Sequence, residues 1–315
     1  MINNSKKKLI TLSFVSLLAA SSASALDFYA GRHNAPSDEK DIKWSNCTWG
    51  DNINFETNPL PSKPGPNDHA SSRYGHFTLN IDVDVNVLSL SCGDGSQNIA
   101  KGRNIRTKRN MSISMATFNS GESAMIYEKC NVEVGGSFNF TFWHEAKGAG
   151  IGRLSLTDTK MTVKGDLTSA IPANPLIQNG ARAGVIIEVA GKTQLSFNGG
   201  AVMDSLHIDD PSQWILKFSF ADSGGNVPTI YFNRRAELGG SDIEIKLSKN
   251  VKTGKYALME FYDRRSGIDK PNKITVNDEP YTFGTPIKLG DKTAKVYLGG
   301  LWQGSENSKR LNLGS

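Results

Sequence analysis

Apolar and polar positions alternate over much of this chain, and almost nowhere do they recur at helical spacing. From Phe77 to Ser91, one side takes Phe77, Leu79, Ile81, Val83, Val85 and Val87, and the other takes Thr78, Asn80, Asp82, Asp84 and Asn86. A period of two marks a half-buried strand, here ten residues or more, bent or split between two strands. Further alternating segments follow at 111–118, 124–134, 137–143, 153–163, 184–189, 193–197, 214–220, 229–232, 241–247 and 256–262, with Thr, Ser, Asn and Gly dominating between them. No segment keeps an i, i+3, i+4, i+7 stripe over three turns, so little helix is expected.

One phrase recurs, in which an alternating segment runs into glycine and an extended segment often resumes. It occupies 130–138, 160–167, 193–202 and 236–245, and its glycines Gly136, Gly165, Gly200 and Gly240 stand 29, 35 and 40 positions apart. The interval is irregular, but a strand–turn unit returning at about this distance indicates a solenoid, whose units bury their apolar faces only by stacking. Strands without helical crossovers also suit a sandwich or a barrel; the repeated phrase favours a parallel β-helix. The expected fold class is therefore all-β, a parallel β-helix over 77–250 with an N-terminal cap at 26–76 and closing strands at 251–315.

Residues 1–25 read as a secretory signal peptide: Lys6, Lys7 and Lys8 precede an apolar run from Leu9 to Ala20 and the small-residue site Ala23-Ser24-Ala25. The run is too short to span a bilayer, so no transmembrane anchor is expected after cleavage, and the product belongs in the extracellular space, at the cell surface or in the periplasm. Removing three lysines takes the net charge from +5 to +2. A chain so near neutrality gives no support to a nucleic-acid partner. The three cysteines, Cys47, Cys92 and Cys130, share no short metal-binding spacing. One disulfide or buried thiols are expected in preference to a metal site.

The N-terminal cap carries Trp44, Trp49, Gly50-Asp51 and Asn54-Phe55, then Pro64-Gly65-Pro66-Asn67-Asp68-His69-Ala70, directly before the alternating strands. This resembles the opening of exported bacterial β-helix proteins of the autotransporter-passenger-like type, with Phe55 where that family usually has Trp. Gly254-Lys255-Tyr256-Ala257-Leu258 is similar to the segment after their last coils. The resemblance implies a right-handed β-helix and carries no catalytic residues.

The densest charge cluster is Lys101, Arg103, Arg106, Lys108 and Arg109, five cations within nine positions. As a binding surface it suits an acidic polysaccharide or another surface glycan, with arginine forks on carboxylate or sulfate; the alternative is a solvated loop. A polysaccharide lyase would need a cation and a base, for which Tyr127 and His144 join the cluster as candidates. A glycoside hydrolase would need paired carboxylates, from Glu145, Asp204, Asp209 and Asp210. His144-Glu145 also reads as an acid–base couple or a plain surface turn. Asn80, Asp82, Asp84 and Asn86, on one strand face, offer oxygen ligands for calcium, against a solvated face as the alternative. The leading expectation is a structural or glycan-binding protein, with a lyase or hydrolase and a protein-binding adhesin as alternatives.

Overall fold

The computed structural model describes residues 25–314 apart from 32–40, 52–59, 73–76, 116–121, 143–149, 171–183, 204–213, 221–226, 252–255, 262–270, 300–309 and several single positions. The protein is all-β, as the alternation requires. Its strands form three sheets of eight, ten and ten strands, and the single helical piece among the described residues is the 3-10 turn Trp44–Asn46.

Successive strands enter the first, second and third sheet in turn. His69–Ser72, Thr78–Ile81 and Val85–Val87 make one pass; Ser89–Gly93, Gln97–Lys101 and Asn104–Thr107 make the next; Met111–Met115, Glu122–Glu128 and Asn131–Val134 follow. Each strand pairs in parallel with its counterparts one pass away, and register is kept: Ile105, Val132, Met161, Leu195 and Ile230 lie in one row. The alternating run at 77–91 is thus divided among three sheets, so Asn80 and Asn86 belong to different sheets and Asp82 and Asp84 fall at the bend between them.

Rows of like residues bury one contiguous apolar core. Parallel in-register pairing places a ring directly over its counterpart, so Phe197, Phe232 and Phe261 stack at centroid separations of 5.0 and 5.8 Å. At the N-terminal end Trp44 and Trp49 meet at 4.7 Å, and Phe28 stands 6.4 Å from Trp49. All three are buried, as expected of a cap, while Phe55 lies outside the described residues.

Among the described residues two kinds of corner recur. Between the second and third sheets, Gly102, Lys129, Asp158 and Gly191 each take a left-handed backbone, with φ of 64, 53, 49 and 64°. Their amides donate to the carbonyls of Glu128, Thr157, Ala190 and Ser219 at 2.8–3.1 Å. The segments 124–134 and 153–163, expected as single strands, break at these bends. Asp158 is of a type that tolerates this conformation, but Lys129 gives no turn signal, and a left-handed lysine costs about 1–2 kcal/mol that the surrounding ladder must offset. Between the third and first sheets sit three of the four glycine phrases, at Gly136, Gly165 and Gly200, while Gly240 of the fourth lies between Ala236, bridged to Ala201 of the first sheet, and the second-sheet strand Asp242–Lys246. Gly165 N donates to Gly136 O at 2.8 Å and Gly199 N to Gly165 O at 2.9 Å. These turns lie so close that a Cβ on Gly199 would stand 2.7 Å from the Gly165 carbonyl carbon. The recurring glycines are therefore fixed by backbone stacked on backbone.

Parallel pairing extends beyond the expected β-helix limits. Asp41–Lys43 and His69–Ser72 already belong to the parallel rows, as do Tyr256–Phe261 and Lys273–Val276. Antiparallel strands close the molecule at both ends: Asp27–Gly31 with Thr48–Gly50, and Lys292–Gly299 and Arg310–Gly314 beyond Tyr256–Phe261.

Candidate functional site

The five-cation cluster spans one strand and two corners. Lys101 ends a second-sheet strand, Arg103 sits at the following bend, Arg106 lies on Asn104–Thr107, and Lys108 and Arg109 form the turn toward the first sheet. Two of the five are engaged by carboxylates one pass away. Lys101 meets Glu128 at 2.9 Å, and Arg106 meets Glu133 at 3.4 Å, with Lys164 completing that pair at 2.9 Å. The hydrogen bonds and charge of these lysines hold Glu128 and Glu133 below the usual carboxylate range. Lys108 and Arg109 remain exposed at the border of the first sheet, where Lys108 Nζ donates to Asn67 Oδ1 at 2.8 Å and Arg109 N to Leu88 O at 2.7 Å.

Tyr127 is no surface base. It points into the core, fully buried, with its hydroxyl 3.9 Å from Met111 Sδ, and desolvation pushes its phenol well above the ordinary range. His144, Glu145, Asp204, Asp209 and Asp210 lie outside the described residues. The expected calcium face is not one face: Asp82 accepts from the Ser45 amide and hydroxyl at 2.9 and 2.5 Å, and Asp84 from the Asn104 amide and side chain, both at 2.9 Å. Among the described residues, no three His, Cys, Asp or Glu side chains gather as a metal would require. Cys47, Cys92 and Cys130 are buried thiols, so of the two expectations the thiol form holds. Burial pushes Cys130 up, which keeps it protonated and unreactive.

Among the described residues a further candidate site lies where the charge cluster only borders it. On the face of the first sheet turned away from the core, Tyr29, Ser71, Ser91, Ser112, Asn139 and Thr168 occupy one row across six parallel strands. The spacing between strands sets these groups about 4.8 Å apart. Ser91 Oγ donates to Ser71 Oγ at 2.9 Å, and Thr168 Oγ1 to Asn139 Oδ1 at 2.6 Å. A second row, Asp27, His69 and Ser89, runs beside it, and His69 Nδ1 and Ser89 Oγ are 2.5 Å apart. Together Asp27, Tyr29, His69, Ser71, Ser89, Ser91 and Ser112 line an open cleft of about 250 Å³.

Local chemistry positions this cleft. Asp68 accepts from Gly65 N at 2.8 Å and from Leu26 N at 3.4 Å, so the Pro-Gly-x-x-Asp segment closes a turn and ties the first strand beside His69. At the other border Asn110 Oδ1 accepts from Ser137 N at 2.9 Å, Ser137 Oγ from Asp166 N at 3.1 Å, and Asp166 Oδ1 from Gly200 N at 2.8 Å. That column of side chain to backbone bonds holds the corners in line.

Sequence reasoning missed the row because its members lie 20 to 42 positions apart and carry no charge. A signal was present: Ala70-Ser71, Leu90-Ser91, Met111-Ser112, Phe138-Asn139 and Leu167-Thr168 repeat an apolar residue followed by a small polar one at or near the start of five successive first-sheet strands. Compared with known proteins, the chain matches no protein-family model, no curated protein and no solved structure, so the site is read from its own geometry.

Proposed function

We propose that this protein is an exported, right-handed parallel β-helix that binds an acidic glycan along the polar face of its first sheet. Three strands per pass in parallel register support the solenoid reading, and parallel crossovers are right-handed almost without exception. The lysine-led apolar segment at residues 6–20 supports export to the cell surface or beyond. One observation carries the ligand reading: hydroxyl and amide groups stand in one row beside an exposed Lys108–Arg109 corner. Sugar hydroxyls both donate and accept, as serine and threonine hydroxyls and carboxamides do. Uronate or sulfate groups add a partner for the lysine and arginine.

The test is binding of polyuronate and sulfated oligosaccharides to the mature chain over a salt series. Lys108→Ala with Arg109→Ala should weaken binding and flatten its salt dependence, while Ser112→Gln, which fills the cleft, should weaken it at every salt concentration. Unchanged binding in both variants would place the ligand elsewhere.

A further inference from the structure

The Asp27, His69, Ser89 row differs from the corner column that continues it. At Asn110, Ser137 and Asp166 the bonds run from backbone amides to side chains, whereas His69 and Ser89 meet side chain to side chain, at 2.5 Å, in the wall of the open cleft. With the proton on Nε2, His69 Nδ1 accepts from the Ser89 hydroxyl, which is the arrangement an activated serine requires. Asp27 stands at the matching position on the next strand, about 4.8 Å away along the sheet. Ser71, whose hydroxyl accepts from Ser91, keeps its own hydroxyl proton on the adjoining row, roughly 7 Å along the strands.

We propose that Ser89 and His69 are a nucleophile and base that hydrolyse short acyl esters. As Nδ1 takes the hydroxyl proton, Ser89 Oγ attacks the ester carbonyl carbon. The carbon–oxygen bond to the alcohol breaks, and the alcohol leaves with the proton held by His69. Water, deprotonated by His69, then attacks the acyl-serine, releasing the carboxylic acid and restoring both side chains. An O-acylated sugar is the substrate class that suits a cleft lined by hydroxyls. The activity shares its cleft with the glycan reading but stands on the His69–Ser89 pair, so cleavage of a simple aryl ester tests it whether or not a glycan binds.

The full chain is treated with a fluorophosphonate and assayed on p-nitrophenyl acetate. The expected results are an adduct located by mass spectrometry at Ser89 and hydrolysis that falls roughly 100-fold or more in Ser89→Ala and His69→Ala. Ser89→Cys gives a readout that does not depend on alanine variants folding: its thiol should be alkylated by iodoacetamide well below the ordinary thiol range of about 8.5, and adding His69→Gln should abolish that advantage. No adduct at Ser89, hydrolysis equal in the parent and Ser89→Ala, or an introduced thiol in Ser89→Cys that titrates ordinarily would each overturn the proposal. Hydrolysis without glycan binding would leave it standing and defeat the glycan reading alone.

Discussion

Gly199 and Gly102 are glycines for different reasons, and their substitutions separate the two. A Cβ at Gly199 meets backbone 2.7 Å away, which no rotamer change relieves, so Gly199→Ala should cost about 1–3 kcal/mol. Gly102 has open space around it but a φ of 64°, so Gly102→Ala should cost roughly 1–2 kcal/mol, and Gly102→Asn less, because asparagine tolerates that conformation. Urea denaturation should rank the midpoints in that order, Gly199→Ala lowest. Tyr127→Phe should leave any activity of the protein unchanged and shift stability by less than about 1 kcal/mol, since the buried hydroxyl reaches only a thioether at 3.9 Å. A large loss of activity in an assay of this variant would restore Tyr127 as a functional group. Inward-facing residues such as Tyr127 and the Phe197, Phe232, Phe261 stack show how alternation discloses the buried face. It does not disclose which polar side chains share a row, because that depends on the register between passes.

At the scale of elements, strands were legible and corners only in part. Alternation at 124–134 changes phase at Glu128-Lys129, with Met125 and Tyr127 buried before the bend and Cys130, Val132 and Val134 after it, a shift of one position that leaves both halves reading as strand. The glycine phrase was legible for the opposite reason, since its turns touch backbone to backbone and admit no side chain. Charged ladders between passes make a prediction of their own. Hydrogen bonding by Lys164 and the nearby Arg106 charge hold Glu133 below its ordinary range, and Asn104 does the same for Asp84. At Asp82 desolvation pushes upward, but the Ser45 hydroxyl and amide outweigh it. Depressed carboxyls contribute stability that is complete above their unfolded values, about 4.3 for Glu and 3.9 for Asp, and is lost as pH falls through the native ones. Melting temperature should therefore hold from pH 7 to about 5 and drop below about 4, less steeply in Glu133→Gln. A fall of equal steepness in that variant would remove Glu133 from the account. In the second sheet Arg153 bridges Glu122 at 2.5 Å and Glu188 at 3.3 Å, both partly buried. Arg153→Ala should cost about 1–2 kcal/mol, by leaving two acids facing each other without their cation.

Taken as a whole molecule, the proposed β-helix offers three long faces that differ in chemistry. The third sheet presents the Arg106, Glu133, Lys164 ladder, the second presents Ile99, Ile126 and Ile151 around the Arg153 pairs, and the first presents uncharged hydroxyls and amides beside a basic corner. Export predicts that secreted material begins near Leu26, and mass spectrometry showing an intact Met1 would contradict it. The account's central claim is that ligand rests on the first face. Amide hydrogen exchange of the mature chain, with and without a saturating oligouronate, tests this most directly. The account predicts added protection confined to His69–Ser72, Ser89–Gly93, Met111–Met115 and the Lys108–Arg109 turn. Protection centred on the second or third sheet, or none at saturation, would contradict it.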